Sequence, residues 1–598
     1  MPSVTVDWNL IDNPVPVLER FPSRRSVVYS SKGEGTNYCL NQRELTNVGM
    51  VSCTQPLACQ AGLEILAKGG NAMDAAVATS IALNVTEPSC CGIGGDAFAL
   101  FYDAKTKRVH ALNGSGRSPR ALTVEKLRER GIVGNTIPYT DLNSVTVPGA
   151  AAAWVDSVEM LGSGKVSFAE VAAPAIRLAE EGVPVSEVHS LGWQRSEKIL
   201  QHASPNGDAM LLNGRAPRPG EVMRFPDLAS TFKALVTEGK DGFYKGRVAQ
   251  AIVDLIQGQG GLMTLEDLAA HKTDVVDPIS YTYANDVKVW ECPPNGQGIT
   301  ALMALGILEA AQEQGTIKSL LDMEHNSAEY LHALIEALRL AFADSLHWVT
   351  DPDCAPVSPS KLLSKEYLLS RAKHFNPQKA IADAEHGNPI NSSDTVYFTV
   401  TDQWGNAASY IQSNYAGFGT GAIPKGCGFT LQNRGCGFVL NDPSHPNILK
   451  GGKRPYHTII PALVTRGDEL FLSYGVMGGF MQPQGHVQVL LNMLRGWTPQ
   501  DALDAPRFCI SPGLPDAPVK ESTKAGDINS EVYFEPGISN ETIQTLRAMG
   551  HDARPVTGIQ RALMGRGQII QRLKTSDGSL VWAAGSDLRG DGHATPQI

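Results

Sequence analysis

The chain has 598 residues, with 51 basic and 61 acidic side chains and a formal net charge of −10 at pH 7. Hydrophobic residues make up 42% and charged residues 19%, so a large core can form and a predominantly disordered chain is excluded. The acidic balance argues against nucleic acid or an anionic membrane as the main partner.

Residues 1–46 are predicted to form an irregular N-terminal extension, because they contain Pro14, Pro16 and Pro22 and a stretch rich in serine and glycine. No basic segment is followed by an apolar one, and no stretch reaches the roughly 20 apolar residues of a membrane span. We therefore expect a cytoplasmic protein without a signal peptide. Its ten cysteines are expected to be thiols.

Helical patterns dominate the next part of the chain, 47–394. Apolar residues recur at helical spacing over 56–68, two glycines end that helix, and Asn71 can cap the next one. Residues 97–103 and 108–113 predict a β-hairpin. Further helices are predicted at 150–161, 168–181, 246–258, 298–313 and 327–347.

The pattern changes near residue 394, where β-rich runs begin. Residues 395–401 and 407–413 flank a Gly-Asn turn, which predicts a hairpin. A second pair of strands is predicted at 459–465 and 469–476, followed by a helix over 484–494. The chain thus divides into a helix-rich segment, 47–394, and a mixed segment, 395–598.

Several common chemistries lack their motifs. There is no G-x-S-x-G, no paired C-x₂-C and no H-E-x-x-H, and Gly162-Ser163-Gly164-Lys165 lacks the Ser or Thr that a phosphate loop needs. His332 and Glu336 lie four residues apart on a predicted helix, which ordinary helix packing explains. Nothing in the sequence predicts a metal or an organic cofactor.

A series of motifs from about Val48 to Gly592 resembles the γ-glutamyltranspeptidase family of N-terminal nucleophile hydrolases. The resemblance implies an α+β fold, a four-layer αββα sandwich that two chains form after self-cleavage. The motifs are GGNAMDAAVATSIALNVTEP at 69–88, GIGGDAF at 92–98, VPGA at 147–150, DTVYFTVTDQWGNA at 394–407, GFGTG at 417–421, GKRPYHTIIP at 452–461, GVMGGFMQPQGH at 475–486 and DAPRF at 504–508.

The resemblance also implies the catalytic residues. Cleavage between Asp394 and Thr395 would make Thr395 an N-terminal nucleophile, whose own α-amine, with a pKa of about 7.7–8.0, could act as general base. Ser413 matches the family residue that hydrogen-bonds the nucleophile, and the alternative is a plain hydroxyl on an edge strand. Gly478 and Gly479 match the family's oxyanion hole, although a glycine turn would explain them too.

The predicted substrate pocket departs from the family pattern. The family's carboxylate-binding Arg aligns with Ser115, two residues before Arg117, and the Asp that pairs with the substrate's amine aligns with Gly437. The pocket is therefore expected to be more cationic and to suit an anionic acyl group without an α-ammonium. The residues predicted to bind substrate are Arg117, Tyr415, Arg434, His457 and Thr458.

The leading hypothesis is a self-processing N-terminal threonine amidohydrolase and acyltransferase that cleaves a γ-glutamyl or similar carboxylated acyl amide. The expected partners are a small-molecule amide or peptide substrate and the protein's own two processed chains, as a heterodimer. An alternative is a hydrolase of a small amide of another kind, such as oxamate or a dicarboxylic acyl amide. A third hypothesis is an inactive family member that acts as a binding protein.

Overall fold

The computed structural model describes residues 44–381, 394–513 and 531–598. Of the predicted N-terminal extension, only 44–46 lie within these ranges, and they form the first strand. The helices are α1 Pro56–Ala67, α2 Ala72–Thr86, α3 Val124–Glu129, α4 Ala150–Leu161, α5 Phe168–Glu181, α6 Glu187–His202, α7 Pro226–Glu238, α8 Asp241–Tyr244, α9 Gly246–Gly258, α10 Leu265–Ala269, α11 Gly298–Glu313, α12 Ala328–Trp348, α13 Pro359–Leu362, α14 Lys365–Ala372, α15 Met481–Leu494, α16 Pro499–Asp504 and α17 Asn540–Ala548.

The strands belong to two large and two small sheets. They are β1 Glu44–Thr46, β2 Met50–Cys53, β3 Asp96–Asp103, β4 Arg108–Gly114, β5 Val183–Pro184, β6 Val222–Met223, β7 Asp274–Val276, β8 Ile279–Tyr283, β9 Val287–Glu291, β10 Asp394–Thr401, β11 Ala407–Tyr415, β12 Ala462–Arg466, β13 Glu469–Met477, β14 Phe508–Ile510, β15 Val532–Phe534, β16 Ala553–Pro555, β17 Arg566–Lys574, β18 Leu580–Ser586 and β19 His593–Pro596.

Both large sheets have seven antiparallel strands. Sheet I has the order β1-β18-β17-β13-β12-β9-β8, and sheet II has the order β19-β2-β10-β11-β3-β4-β7. In both of them, strands that precede residue 394 pair with strands that follow it. Neither sheet is therefore built from one of the two predicted segments alone.

The two sheets pack face to face through a shared core, which includes Phe98 and Tyr397 of sheet II and Leu463, Ile570 and Trp582 of sheet I. Alternate residues of β10 point to opposite faces, because the side-chain period of a strand is two. Val396, Phe398 and Val400 accordingly lie in a different core, shared with α2 and α4. Both faces of β10 are thus buried.

Helices cover the outer face of each sheet. On sheet II the covering helices include α1, α2, α4 and α5, and on sheet I they include α11, α12 and α15. Helix α2 is buried along all of its 15 residues, and Asn71 caps it as predicted, with Asp74 completing a capping box. The prediction of a mixed α and β fold is confirmed.

Most of the predicted helices and strands are found. The helices predicted at 168–181, 246–258 and 298–313 match to the residue, and both predicted hairpins are present. Strand β12 begins at Ala462, three residues later than predicted, and follows Pro461, which has no N–H for a strand ladder. Helix α15 begins at Met481, three residues earlier than predicted. In the described ranges no helix is both long and apolar enough to cross a membrane.

Close contact between the sheets depends on Gly475 of β13. A Cβ atom at this position would lie 2.6 Å from Cε2 of the fully buried Tyr397 ring. We predict that Gly475→Ala lowers the free energy of unfolding by about 1–3 kcal/mol, because the ring has no space to move into. Urea unfolding curves would measure this loss.

Gly134→Ala is the matched control, since the nearest atom to its added methyl would be a carbonyl oxygen 3.6 Å away on the surface. Equal unfolding midpoints for the two variants would contradict this account of the contact between the sheets.

Candidate active site

Thr395 is the second residue of β10 and lies at an irregularity in the sheet. Asp394 pairs with Tyr415 and Val396 pairs with Gln412, so the register shifts by one residue between them. This bulge places Ser413 beside Thr395, with 3.1 Å between their hydroxyl oxygens. Both side chains are buried, and Thr395 is fully inaccessible in the uncleaved chain. Residues 382–393, which lead to the predicted scissile bond, lie outside the described ranges.

The hydroxyl oxygen of Ser413 also receives two nitrogen donors. The backbone N–H of Tyr415 donates to it over 2.8 Å, and Nη2 of Arg434 donates over 3.2 Å. Tyr415 can donate from this position because it takes a left-handed conformation with φ of 77° at the end of the bulge. Ser413 therefore connects the hydroxyl of Thr395 to a guanidinium group.

Arg434 begins a short 3₁₀ helix, Arg434–Gly437, and only 1% of its surface is exposed. Its Nη1 donates to Oγ1 of Thr458 over 2.8 Å, and its guanidinium carbon lies 4.3 Å from the centre of the Tyr415 ring. Burial lowers the pKa of Arg434 to about 10, which leaves it charged at neutral pH. Among the described residues no carboxylate forms an ion pair with it.

The glycine pair lies close to Thr395 because the two sheets are in contact. The hydroxyl groups of Thr399 and Ser473 meet across the sheet interface, and Tyr397 packs on Gly475. Thr399 faces Ser473 and Tyr397 faces Gly475, so β10 and β13 run in opposite directions where they face each other. Continuing by two residues on each strand places Thr395 opposite Met477, the residue before Gly478. The end of β13 and the start of β10 therefore lie at the same edge of the sandwich.

Gly478 and Gly479 form the turn between β13 and α15. Their φ values are 128° and 56°, a region that side chains disfavour and that glycine accepts. Gln297, which the sequence analysis did not single out, donates from Nε2 to the carbonyl oxygens of Gly479 at 2.8 Å and Thr458 at 2.7 Å. These bonds fix the glycine turn and the Thr458 segment relative to each other.

A buried carboxylate, Asp96, lies behind the pocket at the start of β3. Its Oδ1 accepts hydrogen bonds from the backbone N–H groups of Gly116 at 3.2 Å and Gly149 at 3.1 Å. Its Oδ2 accepts one from Nε2 of Gln432 at 3.2 Å and lies 3.1 Å from Nε2 of His457. Burial raises the pKa of Asp96 to about 7, and the charge of the nearby Arg434 opposes that shift.

His457 donates to Asp96 as a neutral imidazole. Burial and the charges of Arg434 and Arg454 hold the pKa of His457 well below its ordinary range. Its Nδ1 lies 3.4 Å from the backbone N–H of Ile459, which requires that nitrogen to accept, so the proton is on Nε2. His457 is predicted to bind substrate, and in the structure its ring binds Asp96.

Arg117 binds acidic side chains in the structure. Its guanidinium forms ion pairs with Asp351 and Asp353, and more than a third of the side chain is exposed. Arg454, which was not predicted, donates to the carbonyl oxygen of Ser115, the residue that aligns with the family's carboxylate-binding Arg. The predicted substrate-binding residues found in the hydrogen-bonded group around Ser413 are Tyr415, Arg434 and Thr458.

Gly437 leaves no room for the acid that γ-glutamyl enzymes carry at this position. A Cβ atom there would lie 2.7 Å from the carbonyl oxygen of Tyr456 and 3.6 Å from Cβ of Pro455. An aspartate would require the backbone of one of the two segments to move.

Among the described residues one group of side chains has metal-binding geometry, formed by His332, Glu336 and His551. Its atoms already form a hydrogen-bond chain, because the two rings meet at 2.7 Å, His332 reaches the carbonyl oxygen of Asn376, and Arg339 donates to His551 and Glu336. Burial lowers the pKa of both histidines, so they remain neutral. Helix packing accounts for this group, and a cation beside Arg339 would be repelled.

Comparison with known proteins agrees with this geometry. The family model described as gamma-glutamyltranspeptidase matches residues 58–597. The Glutathione hydrolase-like YwrD proenzyme of Bacillus subtilis (strain 168) is 36% identical over 557 residues, which cover 93% of this chain and 99% of the relative. The Oxamate amidohydrolase proenzyme of Klebsiella pneumoniae subsp. pneumoniae is 30% identical, covering 89% and 96%.

A solved structure with a similar fold is cephalosporin acylase from Bacillus halodurans. It has a TM-score of 0.82 and 39% sequence identity, and the match covers 95% of this chain and 99% of the acylase. With the full-length family match, these likenesses establish that the chain belongs to the γ-glutamyltranspeptidase family of N-terminal nucleophile hydrolases. It is an enzyme of the hydrolase and transferase type.

The bonds to Asp96 give a prediction about the pocket. Asp96→Asn can still accept from the two backbone N–H groups through its oxygen, but its NH₂ group would then face the donors of Gln432 and His457. We expect the free energy of unfolding to fall by about 2–4 kcal/mol, because two buried N–H groups lose their acceptor. Chemical denaturation would measure this loss.

Asp442→Asn is the control for that experiment, since Asp442 is half-buried at the surface and accepts hydrogen bonds from Ser444. If Asp96→Asn lowered the free energy of unfolding no more than this control does, the carboxylate would not be holding the pocket segments together.

Proposed function

We propose that this enzyme is a self-processing N-terminal threonine amidohydrolase and acyltransferase, with Thr395 as nucleophile. The observation that carries the proposal is the chain of contacts from Oγ1 of Thr395 through Ser413 to the buried guanidinium of Arg434. These contacts join a hydroxyl nucleophile to a cationic group, and all three side chains are buried. The relatives named proenzymes support the processing step.

Maturation would divide the chain into residues 1–394 and 395–598, a heterodimer of the two predicted segments. Oγ1 of Thr395 attacks the carbonyl carbon of Asp394, the C–N bond breaks, and the hydroxyl proton passes to the departing nitrogen. Water then hydrolyses the resulting ester, which frees the carboxylate of Asp394 and the hydroxyl of Thr395.

The arrangement of strands supports a stable two-chain product. Strand β10 pairs with β2 and β11 pairs with β3, while β12 pairs with β9 in the other sheet. Each of these ladders joins a strand before residue 394 to one after it. Cleavage removes one peptide bond and leaves these hydrogen bonds and the shared cores in place.

In turnover, the new α-amine of Thr395 would take the hydroxyl proton as the oxygen attacks the substrate's amide carbonyl. The N–H groups of the Gly478–Gly479 turn, at the start of α15, would bind the oxyanion that develops. The acyl group would then pass from Thr395 to water or to an amine.

The pocket favours an acyl group with a free carboxylate and no α-ammonium. Arg434 offers an unpaired positive charge in the described structure, and a buried cation needs an anion to compensate for its lost hydration. A γ-glutamyl donor would also bring an ammonium group, for which Gly437 provides no carboxylate. We therefore propose a short dicarboxylic acyl amide as the donor, and a γ-glutamyl amide as the alternative.

Two of the similar proteins support this choice of substrate class, whereas the glutathione hydrolase-like relative supports the γ-glutamyl alternative. One is named for oxamate, a small amide with a free carboxylate, and the solved structure is named for cephalosporins. An inactive binding protein fits less well, because the chain keeps Thr395, Ser413 and both glycines in its family motifs.

Processing can be tested by substitution at the nucleophile. Thr395→Ala should remain a single 64.0 kDa chain without hydrolase activity, because both the acyl shift and turnover need the hydroxyl group. Thr395→Ser, which keeps a hydroxyl, is the matched control and should be cleaved. Denaturing gels and the N-terminal sequence of the smaller product would report both outcomes. Cleavage of the alanine variant into the same two bands would place the scissile bond elsewhere.

Substrate preference can be tested with two donors that differ only by the ammonium group. We expect kcat/KM for glutaryl-p-nitroanilide to exceed that for γ-glutamyl-p-nitroanilide by about 30-fold or more, because one unpaired charge costs about 2–5 kcal/mol. Arg434→Gln should reduce this preference, because both donors lose the same contact to their carboxylate while the repulsion of the γ-glutamyl ammonium is relieved. A tenfold advantage for the γ-glutamyl compound would contradict the assignment and restore the family's usual donor.

A further inference from the structure

We propose that Arg434 also promotes the self-cleavage of the precursor, as a positioning residue that orients Ser413 and places its positive charge beside the attacking hydroxyl of Thr395. This inference rests on the proposed cleavage before Thr395. It gives Arg434 a second task, which precedes any contact with substrate.

The uncleaved chain already contains the necessary contacts. Arg434 lies 3.2 Å from the oxygen of Ser413, and that oxygen lies 3.1 Å from Oγ1 of Thr395. No substrate is needed to bring the guanidinium there, because Thr458 and the ring of Tyr415 hold it in place. Its charge is therefore present at the time of the acyl shift.

Ser413 is held so that it directs the hydroxyl of Thr395. The N–H groups of Tyr415 and Arg434 fix the Ser413 oxygen from two sides, and Thr395 donates its hydroxyl hydrogen to that oxygen. This donation fixes the direction of the O–H bond of Thr395. Without Arg434, the hydrogen bond that Nη2 donates to Ser413 is lost.

The charge has a further effect on the reacting atom. As Oγ1 attacks the carbonyl carbon of Asp394, negative charge develops on the tetrahedral centre while the proton moves to the nitrogen of Thr395. Arg434 places a positive charge roughly 6 Å from Oγ1 of Thr395. At an effective dielectric constant near 20, this charge would stabilise the tetrahedral state enough to raise the cleavage rate about 10- to 100-fold.

The groups around Arg434 do not cancel its charge. Tyr139, Tyr415 and Cys436 face it from three segments, and burial raises the pKa of each, so all three are neutral near pH 7. The acid near this guanidinium is Asp96. Its oxygens accept hydrogen bonds from Gly116, Gly149, Gln432 and His457, and none from Arg434 is described.

The test is the rate of precursor cleavage in the absence of substrate. Wild type, Arg434→Gln and Arg434→Lys would be purified as fresh precursors and followed on denaturing gels from pH 6 to 9. The glutamine keeps an N–H donor without charge, and the lysine keeps the charge. Thermal melting of each precursor, compared with uncleaved Thr395→Ala, shows whether the variant is folded.

We expect Arg434→Gln to be cleaved about 10- to 100-fold more slowly at pH 7 and to recover partly at higher pH, where deprotonation needs less assistance. Arg434→Lys should be cleaved within about fivefold of the wild-type rate although it binds donors less well. A purely structural role for Arg434 would lower the melting temperature without moving the pH profile.

Three results would overturn the inference, each in a distinguishable way. Cleavage of Arg434→Gln at the wild-type rate would confine Arg434 to substrate binding and leave the proposed function intact. A lysine variant as slow as the glutamine variant would show that its charge is not what matters. A wild-type chain that never cleaves would refute the proposed function itself.

Discussion

A fully buried carboxylate needs hydrogen-bond donors to replace its lost hydration, and the donors to Asp96 hold several segments of this pocket together. Its four donors come from four separate parts of the chain: the loop after β4, the start of α4, the segment before Arg434 and the segment before β12. The last two of these segments carry Arg434 and Thr458. The position of the guanidinium is therefore tied to a buried acid that never touches it.

Asp96 and Arg434 lie in the same pocket without forming an ion pair, because each of them has neutral hydrogen-bond partners. Asp96 is satisfied by neutral donors, so it has no need of Arg434, and Arg434 in turn contacts hydroxyl groups and an aromatic face. A direct salt bridge would have neutralised the guanidinium and drawn it away from Ser413. Because the two charges are separate, Arg434 has no ion-pair partner among the described residues.

Much of the fold could be predicted from the sequence, because its helices carry clear periodicity and caps. Helix α5 begins at a Ser167–Glu170 capping box and α11 is largely apolar up to Leu308, and the predicted bounds of both match the structure. The strand pairs β8–β9 and β17–β18 were not predicted. Each pair is a local hairpin, but its strands are short or contain charged residues such as Lys288 and Arg572.

The site was predictable only in part, for a related reason. Thr395, Ser413 and the glycine pair lie in motifs whose roles can be recognised locally. Asp96 also lies in a motif, at 92–98, but its role and that of Gln297 depend on contacts with segments far away in the sequence. Arg117 lies two residues from the aligned position, and in the structure it pairs with Asp351. Alignment places a residue on the chain, and only packing determines where its side chain points.

The tight fit around Gly437 bears on how such enzymes change specificity during evolution. The carbonyl oxygen of Tyr456 occupies the space that an acidic side chain would need, so no single codon change can install the ammonium-binding group of a γ-glutamyl enzyme without strain. An acid at residue 437 would therefore need a second, compensating change that moves the segment carrying Tyr456. Such a pair of changes is far rarer than a single substitution, so the packing at this glycine resists change from one mutation at a time.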